Sequence, residues 1–120
     1  MATRTINFAR LIIFVVFLAI TFLMAWTRAT HAEEAKVKIG NFTFDPMIMK
    51  VKAGMAVSWT NEDDIPHTVA AADHSFKSKP LDTGETYSTI FSTPGRYTYF
   101  CSLHPHMKAV IIVEGAASKQ

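Results

Sequence analysis

The sequence predicts an all-β Greek-key sandwich of about seven or eight short strands, preceded by an N-terminal export segment. Three observations predict it. From Ala35 onward, apolar and polar residues alternate with the two-residue period of half-buried strands. Turn residues punctuate those runs at Pro46, Gly54, Gly84 and Pro94-Gly95. The first thirty-odd residues are different: Arg4 and Arg10 lead into a charge-free, greasy stretch from Leu11 to Trp26.

That opening has the charged, apolar, small-residue order of a secretory signal, with Thr30-His31-Ala32 at the expected peptidase positions. The expected division is therefore a signal over 1–32 and one domain over 33–120, located in the periplasm. No adjacent arginine pair is present, which favours the general export route. The apolar stretch is shorter than the roughly 20 residues that cross a bilayer comfortably. If the segment stays uncleaved, it would instead anchor the domain to the membrane. From residue 33 on, nine Lys+Arg face ten Asp+Glu, so the basic balance of the whole chain belongs to the leader. No basic stripe or basic-aromatic platform occurs, and nucleic acid is excluded as a partner class.

The strands follow in order. Val37 and Ile39 alternate with Lys36 and Lys38 in the first, which Phe44-Asp45-Pro46 breaks. Met47 to Val51 forms the second before a turn at Ala53-Gly54. Val57, Trp59 and Asn61 alternate with Ala56, Ser58 and Thr60 in the third. Glu62-Asp63-Asp64 reads as a solvated polar loop and Ile65 to Ala70 as a strand. Ala71 to Pro80 has weak patterning and is expected to be a loop. Thr86 to Phe91 has strand composition. After the Thr93-Pro94-Gly95 turn, Arg96 to Cys101 places Tyr97, Tyr99 and Cys101 on one face. Ala109 to Val113 is a fully apolar strand, and Gly115 to Gln120 a frayed tail.

An exported domain this small normally needs a staple, yet the chain has one cysteine and so no internal disulfide. A lone thiol there needs a reason, because exposed thiolates oxidise. Its neighbours supply one. Cys101, His104 and Met107 follow at three-residue intervals, and His67 lies thirty-four residues before the cysteine. Two neutral imidazoles, a thiolate and a weak thioether form the donor set of an electron-transfer blue-copper site. A bound metal would then be the staple. Pro105 favours a tight turn after His104, and Pro66 biases Ile65 to an extended conformation. Four protein donors leave no open position, which argues against an enzyme, and a hydrolase would also need a general base. A two-copper centre is excluded by the single thiolate. Met47, Met49 and Met55 are expected to pack rather than store copper, and His74 to be solvated.

From Phe44-Asp45-Pro46 to Val113-Glu114 the chain resembles the cupredoxins, most closely their amicyanin and plastocyanin-like group. The resemblance runs through Ala53-Gly54, Val57-Ser58-Trp59-Thr60-Asn61 and Pro66-His67-Thr68-Val69. It continues through Gly84-Glu85-Thr86-Tyr87-Ser88, Pro94-Gly95-Arg96-Tyr97-Thr98-Tyr99 and the Cys101 to Met107 loop. It implies a cupredoxin-like sandwich holding one type 1 copper ion (Cu2+/Cu+), with His67, Cys101 and His104 in a trigonal plane. Met107 would be the long axial ligand, and His104 the exit for electrons within an apolar patch. An asparagine at Asn61 is expected to tie the loop before His67 to the cysteine loop.

The chain departs from the family at three places. Thr68 stands where asparagine is frequent, Leu103 where amicyanins usually carry proline, and His106 where an apolar residue is usual. The implied function is a monomeric periplasmic carrier of single electrons between redox proteins, a dehydrogenase donor and a c-type cytochrome acceptor. The alternative is a periplasmic copper carrier or buffer that delivers the metal without redox cycling.

Overall fold

A computed structural model defines residues 8–24 and 33–115, and the chain divides into two compact units, Met1–His31 and Ala32–Gln120. In the first, α1 runs over Phe8–Met24, 17 residues without a charge except Arg10. Among the described residues, no helix is long and apolar enough to cross a membrane. The expected peptidase positions Thr30-His31-Ala32 lie outside the described residues.

The second unit carries eight strands: β1 Glu34–Gly40, β2 Thr43–Asp45, β3 Ile48–Lys52, β4 Met55–Asn61, β5 Ala70–Ala71, β6 Thr86–Phe91, β7 Gly95–Phe100 and β8 Lys108–Glu114. They form two four-stranded mixed sheets, in the orders β2-β1-β4-β6 and β3-β8-β7-β5. The parallel pairs are β1 with β4 and β3 with β8; the other neighbours run antiparallel. This is the cupredoxin-like sandwich the strand pattern and the resemblance led one to expect.

Alternation sets which side chains enter the space between the sheets. Val37 and Ile39 from β1 and Val57, Trp59 and Asn61 from β4 point inward, facing Tyr99 from β7 and Ala109, Ile111 and Val113 from β8. Trp59 is fully buried, with the rings of Phe76, Tyr87 and Tyr99 5.8, 5.8 and 5.5 Å away. Phe44 meets Tyr99 edge-on at 4.8 Å. This aromatic column forms the floor from which β7 delivers Cys101.

Two elements differ from the sequence reading. Thr43–Asp45 pairs with β1 as β2, whereas Phe44-Asp45-Pro46 was expected only to interrupt a strand. The chain reverses at Asn41 and Phe42, both left-handed, with φ of 49° and 57°. Second, Ile65 to Ala70 is not a continuous strand: only Ala70–Ala71 pairs as β5, and His67 makes an isolated bridge to Leu81. The reason lies in where its amides go. Pro66 has none, Thr68 donates to Cys101 Sγ, and Val69 donates to Ser78 Oγ, so few remain for a ladder. Met47 is also 57% exposed, contrary to the packing role expected of it, while Met49 and Met55 do pack against the core.

Candidate metal centre

At one end of the sandwich, the extended segment around His67 meets the loop that follows β7. The bridge to Leu81 fixes His67 through two backbone bonds, His67 N to Leu81 O at 3.2 Å and Leu81 N to His67 O at 2.8 Å. Three more bonds fold the Cys101 to Met107 loop back on itself. Cys101 N donates to Met107 O (3.1 Å), His104 N to Cys101 O (3.2 Å) and Met107 N to His104 O (2.9 Å). The tight turn expected around Pro105 is thus present.

His67, Cys101 and His104 bring one donor atom each to within 4.8 Å of one another. His67 Nδ1 lies 3.8 Å and His104 Nδ1 3.6 Å from Cys101 Sγ. Donors arranged around one metal in a plane, each about 2.0 to 2.3 Å from it, stand roughly 3.5 to 3.9 Å apart. The two separations fall in that range, so the donor set fits a metal ion in both chemistry and spacing. His67 and Cys101 are buried and His104 is half-buried. Met107, also buried, closes the base of the same loop through its backbone.

Burial pushes the Cys101 thiol up, but the hydrogen bonds that reach its sulfur, the one from the Thr68 amide foremost, outweigh it and bring it from 9.0 to about 6. The thiolate, which is the form that binds metal, is accessible near neutral pH. Thr68, standing where asparagine is frequent, bonds across the site through its hydroxyl. Its Oγ1 accepts from Ser102 N at 2.7 Å, so the hydroxyl joins the His67 segment to the cysteine loop.

Asn61 does something else than expected. Its Nδ2 donates to Ile65 O (2.8 Å) and Leu81 O (2.9 Å), and its Oδ1 accepts from Asp63 N (3.0 Å). It therefore knits the loop before His67 to the Leu81 segment and not to the cysteine loop. Both amide hydrogens are spent on these two carbonyls.

Two residues of the site were not singled out from the sequence. Asp63, read as part of a solvated loop, accepts a 2.7 Å bond from His67 Nε2. The Phe42 and Asn41 amides also bond it and, against a smaller opposing effect of burial, hold its carboxyl below the ordinary 3.8. Phe42 places its ring edge-on to both imidazoles, 5.6 Å from His67 and 5.1 Å from His104. Gly40-Asn41 was the available signal for the turn that carries it; nothing in one sequence marks Asp63. His106 is exposed, its ring 6.4 Å from that of His104, and His74 is exposed as expected.

The comparisons agree with this geometry. Residues 11–113 match the family model of the cupredoxin-like domain. Amicyanin-alpha of Methylorubrum extorquens is 39% identical over 93 residues, covering 69% of this chain and 74% of that protein. The chloroplastic plastocyanin of Tetradesmus obliquus is 32% identical over 94 residues, 63% of either chain. A purple cupredoxin from Nitrosopumilus maritimus superposes with a TM-score of 0.65 at 31% identity, covering 67% of this chain and 99% of that one. Together with the histidine, cysteine and methionine donors, these relatives indicate a single type 1 copper site, and the chain belongs to the cupredoxin family.

Proposed function

We propose that this protein is an exported carrier of single electrons in which His67, Cys101, His104 and Met107 would hold a copper ion. The observation that carries the reading is the pair of Nδ1 to Sγ separations, 3.8 and 3.6 Å, within a largely buried site. Copper bound there supplies one-electron Cu(II)/Cu(I) exchange in a shell of soft sulfur and imidazole that is ideal for neither state.

The protein's own residues keep that shell still. Cys101 is fixed by β7 on one side and by the turn bonds of its loop on the other, while Thr68 ties the His67 segment to Ser102. A shell held alike in both oxidation states needs little reorganisation. With four protein donors there is no position for a substrate, so the protein is not an enzyme in this reading.

His104 is the half-buried ligand, and exposed Leu103 and Phe42 stand beside it. An apolar surface around an accessible ligand suits brief contact with redox proteins, a dehydrogenase as donor and a c-type cytochrome as acceptor. Residues 1–32 act as the export signal and 33–120 as the periplasmic domain, working as a monomer.

The test is a visible spectrum of the domain after adding Cu(II), with Cys101→Ala as control. A strong blue band that bleaches on reduction, returns on oxidation and vanishes in the control is expected. A pale spectrum, or copper lost on first reduction, would favour delivery of the metal over electron transfer.

A further inference from the structure

The Asp63 carboxylate collects three donors from two separate parts of the chain. Its Oδ1 accepts from Asn41 N at 2.6 Å, and its Oδ2 accepts from Phe42 N at 3.1 Å and from His67 Nε2 at 2.7 Å. The carboxylate is itself held. Asp63 N donates to Asn61 Oδ1 at 3.0 Å, and Thr83 Oγ1 donates to Asp63 O at 2.6 Å. Its side chain is 15% exposed, and that of His67 is wholly buried.

The turn it grips is costly on its own. Asn41 and Phe42 are both left-handed, with φ of 49° and 57°, and a bulky residue such as phenylalanine resists that region by about 1 to 2 kcal/mol. Two successive amides pointing at one carboxylate offset the strain. What the turn presents is the Phe42 ring, 45% exposed and edge-on to both imidazoles. The ring therefore packs against the two imidazoles on one side and meets water on the other.

We propose that Asp63 is a positioning residue that couples the metal centre to its cover, fixing the tautomer of His67 and the place of Phe42 with one carboxylate. This rests on the copper reading above. A proton on Nε2, donated to Asp63, leaves the lone pair on Nδ1, the atom that faces Cys101 Sγ. The negative charge behind the imidazole also makes it a stronger donor, which favours Cu(II) and lowers the reduction potential. Neutralising Asp63 is therefore expected to raise the potential.

The experiment has a metal-free part and a copper-loaded part. In the metal-free full chain, nitrogen-15 NMR of the neutral His67 ring should show the proton on Nε2. The Asn41 and Phe42 amide protons should lie downfield, and all three signals should move together in Asp63→Ala. In the copper-loaded protein, Asp63→Asn and Asp63→Ala should raise the potential, while Asp63→Glu restores it in part. A roughly 10- to 100-fold loss of metal affinity is expected for Asp63→Ala. Wild-type His67 with its proton on Nδ1 would overturn the proposal without any variant. So would an unchanged potential together with unmoved Phe42 signals in Asp63→Ala. Failure of the copper reading would show separately, as a wild-type protein without a blue band.

Discussion

Thr68 and Ser102, thirty-four positions apart, are joined twice: Ser102 N donates to Thr68 Oγ1 at 2.7 Å, and the two hydroxyl oxygens lie 2.7 Å apart. Thr68 N in turn donates to Cys101 Sγ at 3.3 Å, and its hydroxyl lies 3.7 Å from the same sulfur. One buried residue thus connects the two segments that supply the histidine and the cysteine. Each segment alone is a loop with few ladder bonds, so the connection governs how far the donors can drift apart.

Thr68→Val keeps the shape of the side chain and removes the hydroxyl. The Ser102 amide loses its partner, and destabilisation of about 1 to 3 kcal/mol is expected. Urea unfolding of the metal-free protein measures it as a lower midpoint at unchanged slope. With copper bound, the thiolate loses a weak hydrogen bond and becomes more electron-donating, so the reduction potential should fall. A Thr68→Ser variant should stay close to wild type in both.

Asn61 is fully buried and uses both ends of its amide, donating to Ile65 O and Leu81 O and accepting from Asp63 N. Asn61→Ala leaves Ile65 O and Asp63 N without these partners, and Leu81 O with the His67 amide alone. A loss of about 2 to 4 kcal/mol is expected, a large share of the stability of a small domain. Asn61→Asp should be as harmful, because it turns the donor towards the two carbonyls into an acceptor. Thermal unfolding monitored by near-ultraviolet circular dichroism would measure both, and a midpoint within 2 to 3 °C of wild type would contradict the account.

Much of this was legible because it is periodic or local. Strand alternation placed Trp59 and Tyr99 inside and Cys101 on an aromatic face, and three-residue spacing placed Cys101, His104 and Met107 on one loop. What escaped was long-range and depended on single atoms. Asp63 looks like any acid between Glu62 and Asp64, and only the fold brings the Asn41-Phe42 turn to it. The stretch from Ile65 to Ala70 has the composition of a strand, but its amides go to Cys101 and to the Ser78 side chain. The tie that the resemblance implies for Asn61 goes elsewhere because the fold sets the Ile65 and Leu81 carbonyls against its amide, a long-range placement that residue order does not reveal.

Glu85 offers a test of stability against pH away from the metal centre. The Asp82 amide, 3.0 Å from its Oε2, and then Lys79, 3.1 Å from its Oε1, hold its carboxyl below the ordinary 4.5. Folding therefore favours the ionised form. The contribution is fully present above pH 4.5 and is lost as pH falls through the depressed value. Glu85→Gln should lower the melting temperature slightly at pH 7, and the gap to wild type should close towards pH 3. Because the pair is exposed, most of the Lys79 share should also vanish in 1 M salt, while the Asp82 bond persists.

Metal binding should be a large part of this domain's stability. Cys101 is a free, buried thiol, and no disulfide spans the described residues. The segments carrying His67 and Cys101 meet through few bonds besides those of Thr68, so a metal held by both would close the sandwich at that end. A ligand present at about a thousand times its dissociation constant adds roughly 4 kcal/mol, which in a domain of this size is on the order of 15 to 30 °C in melting temperature. Calorimetry with and without copper, or with redox-silent Zn(II), should show that increment in wild type. In Cys101→Ala the metal-dependent increment should all but disappear, on top of a lower metal-free melting temperature from the lost Thr68 hydrogen bond. His104→Ala should lose a smaller part, because that ligand is half-buried and its loop is still closed by the Cys101 and Met107 backbone bond. An equal increment in wild type and Cys101→Ala would mean that the metal stabilises the fold from somewhere else.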